Sequence, residues 1–243
     1  MANIYDDVVE VARRTMVLFF VVDTSGSMDG AKIGTLNQAI EDVIPEIRDI
    51  SSNNADAEIK IAVLEFSNGA KWITNAPVSA SEFEWQYLNA VGLTDFGAAC
   101  SQLDEKLSRN SFMNDITGSF APAIFLLSDG APTDNYKEKL EKLKNNNWFK
   151  KAIKVAVAIG EDANKNILSE FTDNMEAVLS VHNPEALKKM IRFVSVTSSQ
   201  IGSKSSAVGK GKVDEIKSKQ DEFIDQVSVA YSNGDFDDEY IQW

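Results

Sequence analysis

Residues 19–30 read FFVVDTSGSMDG: an unbroken apolar run that ends on a carboxylate and passes at once into small hydroxyl and glycine residues. The run begins at Met16. Continuous hydrophobicity of this kind belongs to a strand covered on both faces, which is the condition of a parallel sheet sandwiched between helices. The same texture returns at Ile59 to Phe66, Ala121 to Asp129 and Ile153 to Gly160, and more weakly at Ala177 to Val181. Between these runs the apolar period changes to three and four residues: Ile33, Leu36, Ile40, Val43, Ile47 and Ile50 form one helical stripe. Pro45 interrupts that stripe and predicts a kink or break near Val43. Further helices are expected at about 97–107, 135–144 and 164–171. A last one, from Pro184 to about Ser199, has Asn183 as its N-cap. Ala70 to Thr74, after Ser67-Asn68-Gly69, reads as the return arm of a hairpin and so as an antiparallel edge. The expectation is an α/β fold: a Rossmann-like open, mostly parallel sheet with one antiparallel edge strand and helices on both faces.

Composition narrows the function. The 243 residues carry 24 Lys plus Arg against 37 Asp plus Glu, a net charge of −13, with 44% apolar residues. A chain this acidic is poorly suited to nucleic acid phosphates or an anionic membrane surface. The run Met16 to Val22 falls far short of the roughly 20 residues a membrane helix needs, and the N-terminal stretch has no signal-peptide pattern. A reducing, cytoplasmic setting of bacterial type is expected. One Cys and one His, Cys100 and His182, exclude an internal disulfide and a structural zinc cluster and leave little from which to build nucleophilic catalysis. Cys100 reads as a buried structural thiol and His182 as a loop residue. In domain terms, residues 1–202 read as one domain, the small and polar stretch 203–212 as a linker, and 213–243 as an acidic extension in which Val213, Ile216, Phe223, Ile224 and Val227 suit one face of a short helix.

Asp23, Ser25 and Ser27 follow one another at steps of two, at the carboxyl end of a central strand, where open α/β sheets gather ligands. A carboxylate and two hydroxyls are hard oxygen donors that suit Mg²⁺ or Mn²⁺, with Ca²⁺ behind them. Thr94 in VGLTDFG and Asp129 in IFLLSDGAPTD stand in loops at the same sheet edge. Taken together these residues resemble the von Willebrand factor A domains and their metal-ion-dependent adhesion site: Asp-x-Ser-x-Ser after the first strand, Thr in a second loop, and Asp, commonly in Asp-Gly, in a third. Asp23, Ser25, Ser27, Thr94 and Asp129 match in order, within about residues 10–200. The resemblance implies direct ligation by Ser25, Ser27 and Thr94, with Asp23 and Asp129 acting directly or through water. Gly92-Leu93-Thr94-Asp95-Phe96-Gly97 departs from the usual second loop, and Asp95 either adds charge beside the metal or caps the next helix. The wording ARRTMVLFFVVDTSGSM and LLSDGAPTD is similar to the TerY-like branch linked to bacterial tellurium resistance, which implies an adaptor beside a protein kinase or a metal-dependent Ser/Thr phosphatase.

Two carboxylates and three neutral donors under-supply a dication with anionic ligands. A partner's Asp or Glu can complete the shell, and the expected function is non-catalytic, metal-dependent binding of a protein. The plainer account of Asp-Thr-Ser-Gly-Ser is a turn whose side chains cap backbone amides. Other classes also compete: a hydrolase or phosphatase using the same ion to activate water, and a subunit of a chelatase-like or ATPase-linked machine. An aspartic protease is disfavoured because Ser25 stands where a glycine is needed. A dinucleotide site is disfavoured because no G-x-G-x-x-G follows a strand. In the tail, Asp235, Asp237, Asp238 and Glu239 alternate with Phe236, Tyr240 and Trp243, which suits either a solvating terminus or a recognition and self-association segment.

Overall fold

The computed structural model describes residues 13–130, 132–181, 183–203 and 218–234. Its centre is β1 (Arg14–Asp23), buried from Thr15 onward and paired in parallel on one side with β2 (Ala57–Ser67) and on the other with β5 (Ala123–Ser128). Alternate residues of β1 feed two separate cores, as a strand's period of two requires. Met16, Leu18, Phe20 and Val22 join α1 (Ala31–Asn53) and α6 (Pro184–Ser203). Val17, Phe19 and Val21 join α2 (Phe96–Lys106), α3 (Lys137–Lys144), α4 (Asn147–Lys151) and α5 (Lys165–Thr172). The sheet continues from β5 to β6 (Ile153–Ile159) and β7 (Val178–Val181), all parallel. Past β2 lies the expected antiparallel edge, in two short pieces, β3 (Gly69–Trp72) and β4 (Val78–Ser79). The seven-stranded order β3-β2-β1-β5-β6-β7, with β4 beside β2, makes β1 the strand from which connections leave in opposite directions. In such an order the carboxyl ends of the strands on either side of the switch are where a ligand is expected.

The proline at position 45 does not break α1, which runs 23 residues through it. Pro45 lies on the exposed face, as does Glu41, whose carbonyl loses its partner there. Water can take that acceptor, so the buried stripe opposite is undisturbed. The five-residue α4 and two-residue β4 were not anticipated, being too short to establish a period. Asn183 caps α6 as expected, accepting from the Ala186 N–H at 2.8 Å. Cys100 is buried, and burial pushes its thiol pKa far up, so it behaves as an apolar filler. His182, residues 204–217, which hold the expected linker apart from Ser203 and also Val213 and Ile216, and the tail 235–243 lie outside the described residues.

Helix α7 (Lys219–Asn233) buries Phe223, Ile224 and Val227 in the α1/α6 core, with Phe223 against Phe193 of α6. Its first turn also finishes the sheet. Pairing of β6 with β7 begins at Ala156, and just before it the Gln220 amide accepts from the Lys154 N–H at 2.8 Å and donates to its carbonyl at 3.0 Å, standing in for a neighbouring strand. At the amino end of the sheet, Asp115 accepts from Thr15 Oγ1 at 2.6 Å and Lys60 Nζ at 2.8 Å, tying β1 and β2 to the loop before β5. Among the described residues no helix is long and apolar enough to cross a membrane.

Two stability experiments follow from this packing. Phe223→Ala should cost about 3–5 kcal/mol in urea unfolding, with one transition retained; an unchanged midpoint would mean that α7 is not part of the cooperative unit. Burial opposes the charge on Asp115, but Lys60, Thr15 and Thr117 together hold its pKa well below the usual carboxylate range. The stability it contributes is complete above the unfolded value near about 4 and is lost as pH falls toward the folded one. The stability gap between the native protein and Asp115→Asn should therefore be constant from neutral pH to about 5 and close only in stronger acid.

Candidate metal centre

The site begins with a burial problem. Asp23 ends β1 with no exposed surface, and burial raises its pKa. The fold opposes that shift with donors. Asp23 Oδ1 accepts from the Ser25 N–H at 2.9 Å, and Oδ2 accepts from Ser128 Oγ at 2.6 Å across the β1–β5 pair. Ser128 Oγ itself accepts from the Gly130 N–H at 2.8 Å, so the β5 loop and the β1 loop share one network. The Asp23 bond to Ser25 turns the chain sharply after the strand. It leaves the Ser25 and Ser27 hydroxyls 3.0 Å apart, close enough to be offered to a single ion.

The second loop is stitched to the first by its backbone. Val91 N–H donates to the Thr24 carbonyl at 2.7 Å, and Gly26 N–H to the Gly92 carbonyl at 3.0 Å. Gly92 has φ +90°, and a Cβ there would meet the Asn68 amide at 2.5 Å, so the turn admits only glycine. Thr94 follows, buried, and is fixed to the third loop from both sides: its N–H donates to Thr133 Oγ1 at 3.0 Å, and its carbonyl accepts from the Thr133 N–H at 2.9 Å. Asp95 caps α2, accepting from the Ala98 N–H at 3.1 Å. Its neighbour Asp134 takes the Gly97 N–H at 2.9 Å. Burial first, and then the neighbouring Asp95 carboxylate, raises the pKa of Asp134.

Asp129 stands at the end of β5, 3% exposed. Lys32, in the first turn of α1, places Nζ 3.1 Å from Asp129 Oδ2 and 2.9 Å from Asp162 Oδ1. Burial works against the lysine's charge, but its bonds to Asp162 and Asp129 outweigh that and raise its pKa. The other oxygen, Asp129 Oδ1, is buried and meets no donor. An unsatisfied buried carboxylate oxygen is costly, and a cation or a bound water is what ordinarily satisfies it. Among the described residues no three His, Cys, Asp or Glu side chains cluster as a metal site. An ion here would rest on two carboxylates and the hydroxyls of Ser25, Ser27 and Thr94, a donor set that fits Mg²⁺ or Mn²⁺ and lacks the nitrogen and sulfur that favour zinc.

All five residues expected from the sequence thus lie in three loops joined by hydrogen bonds at one edge of the sheet. Ser128, Lys32 and Thr133 are the supports that sequence reading missed. Ser128 is a small hydroxyl directly before Asp129, a visible feature whose target depends on the β1–β5 register. Lys32 and Thr133 carry no motif, since each acts through a loop distant in sequence.

A family model for the von Willebrand factor type A domain matches residues 18–193. The chain belongs to that family. Among solved structures, this von Willebrand factor A domain is similar to the PilB minor pilin from Streptococcus sanguinis, with TM-score 0.59 and 16% identity over 79% of this chain and 63% of that one. A von Willebrand factor type A protein from Catenulispora acidiphila aligns with TM-score 0.56 and 18% identity, over 76% of this chain and 43% of that one. The proximal thread matrix protein 1 of the mussel byssus, in a form described as having a zinc-occupied MIDAS motif, aligns with TM-score 0.56 and 16% identity, over 76% and 48%. The chain spans less than two thirds of each of these proteins, and the likeness is one of fold.

Ser128→Ala removes the donor to Asp23 Oδ2 and leaves a buried carboxylate oxygen unpaired. The loss should be about 1–3 kcal/mol in neutral-pH urea unfolding. Native stability in this variant would show that Asp23 does not depend on the link to β5.

Proposed function

We propose that this von Willebrand factor A domain is a non-catalytic protein-binding module that holds Mg²⁺ or Mn²⁺ in a metal-ion-dependent adhesion site and takes an Asp or Glu of a partner onto the ion. The observation that carries the reading is the orphaned Asp129 Oδ1, buried beside a network that already presents the paired hydroxyls of Ser25 and Ser27. When bound, the ion supplies a Lewis-acidic position open to an external carboxylate. The chain's own groups do the rest. Ser25, Ser27 and Thr94 offer neutral oxygens, Asp129 offers its free oxygen, and Asp23 orients the loop through Ser25 while neutralising charge from behind. Lys32 withdraws part of the negative charge of Asp129, so the site remains short of anions and receptive to one more.

A hydrolytic role is less well supported by the same geometry. Asp23 has both oxygens in hydrogen bonds, and the one free oxygen of Asp129 is taken up by the ion in this reading, so neither is left as a general base. Within the binding reading, the stretches ARRTMVLFFVVDTSGSM and LLSDGAPTD support a TerY-like adaptor in a cytoplasmic tellurium-resistance, stress or phosphosignalling system, with a protein kinase or Ser/Thr phosphatase as partner. Calorimetry tests the centre directly: native protein is expected to take up one Mn²⁺ or Mg²⁺, and Asp129→Ala and Ser25→Ala are expected to lose that uptake while remaining folded. No uptake by native protein, or equal uptake by Asp129→Ala, would refute the proposal.

A further inference from the structure

Six large apolar side chains are notably exposed among the described residues, and three of them, Tyr87, Val91 and Leu93, belong to the loop that borders the site. Val91 is 67% and Leu93 62% exposed. Neither can fold inward. The Val91 N–H is bonded to Thr24, the Gly92 carbonyl to Gly26 and the Leu93 N–H to Asn68 Oδ1 at 3.0 Å, so the backbone between them is pinned and both side chains are left on the surface. Apolar groups held out of the core in this way mark a contact surface.

The other flank of the site differs in kind. Glu161 and Asp162 are exposed there, beside Lys32. A cavity of about 330 Å³ opens beside Glu161, lined by Ala31, Thr35, Ile159 and Val181 together with Lys32 and Glu161. Lys32 has its ammonium committed to Asp129 and Asp162, whereas the Glu161 carboxylate has no ion pair among the described residues. A largely apolar lining that includes a carboxylate without an ion pair suits a Lys or Arg side chain, which buries its aliphatic stem and keeps its charged head beside the carboxylate.

We propose that the site selects a protein segment in which the metal-seeking Asp or Glu lies between an apolar residue, seated on Val91 and Leu93, and a Lys or Arg, seated in the cavity beside Glu161. This rests on the metal-dependent binding proposed above and adds the identity of the two neighbouring subsites. Charge favours the arrangement, because a chain of net charge −13 repels a purely acidic ligand and is attracted to one that carries a compensating cation. The chain's own residues 235–243, DFDDEYIQW, contain acids and apolar groups but no Lys or Arg. They lack one of the three features and should compete poorly.

A random peptide library displayed on phage, panned against the full chain in Mg²⁺ and eluted with chelator, tests this. Enriched peptides are expected to share an acid with an apolar residue on one side and Lys or Arg on the other. The best of them should bind about tenfold more weakly to Glu161→Lys and to Val91→Ser/Leu93→Ser. Calorimetric metal uptake by these variants checks that the ion site still forms. A synthetic peptide of residues 235–243 should displace the selected peptide poorly. Chelator-eluted peptides that share an acid but neither neighbour would overturn this inference and leave metal-dependent binding standing, as would displacement by the 235–243 peptide at equal strength. No chelator-eluted peptides at all would overturn both.

Discussion

The structure is organised around one carboxylate that has no access to water. Asp23 is placed at the end of the central strand, which is buried from Thr15 onward, and a charge in that position is tolerable only if donors are brought to it. Those donors come from its own loop, through the Ser25 N–H, and from the neighbouring strand, through Ser128. Satisfying Asp23 therefore aligns the β1 loop with the β5 loop, and the backbone bonds from residues 24 and 26 to residues 91 and 92 bring in the Thr94 loop. The convergence of three loops is a consequence of solving one desolvation problem at the switch point of the sheet.

Against that background the second carboxylate is left deliberately incomplete. Asp129 is buried to the same degree, yet only one of its oxygens is met, by Lys32. In the reading proposed above, the oxygen left without a partner, Asp129 Oδ1, is the one that meets the ion. The hydroxyls of Ser25 and Ser27, 3.0 Å apart and hydrogen-bonded to each other, keep lone pairs that a cation can use. Oxygen acceptors that lack donors are what a hard cation seeks.

Much of this was legible in the residues. The central strands announce themselves through unbroken apolar runs, and the five oxygen-bearing residues through their positions after two of those runs and before one helix. What was hidden depends on register or on distance. Ser128 meets Asp23 because Val22 pairs with Leu127; a shift of one residue would turn it away. Lys32 reaches Asp129 because α1 starts against the loop at Gly160, where a Cβ would already crowd the lysine chain. Pro45 does not produce the break that its residue type allows, because a helix interior is not uniform: on the solvated face the lost hydrogen bond can pass to water. The helix α7 shows the converse, since its apolar face was readable but its second task, closing the open end of β6 with Gln220, has no signature in a single sequence.

The central claim is that Ser25, Ser27, Thr94 and Asp129 surround one divalent ion. Anomalous diffraction from crystals grown with Mn²⁺ tests it most directly. The account predicts a single strong peak about 2.1 Å from the oxygens of Ser25, Ser27 and Thr94, absent from crystals of Asp129→Ala. A peak elsewhere on the chain, or none in a well-ordered crystal, would contradict it.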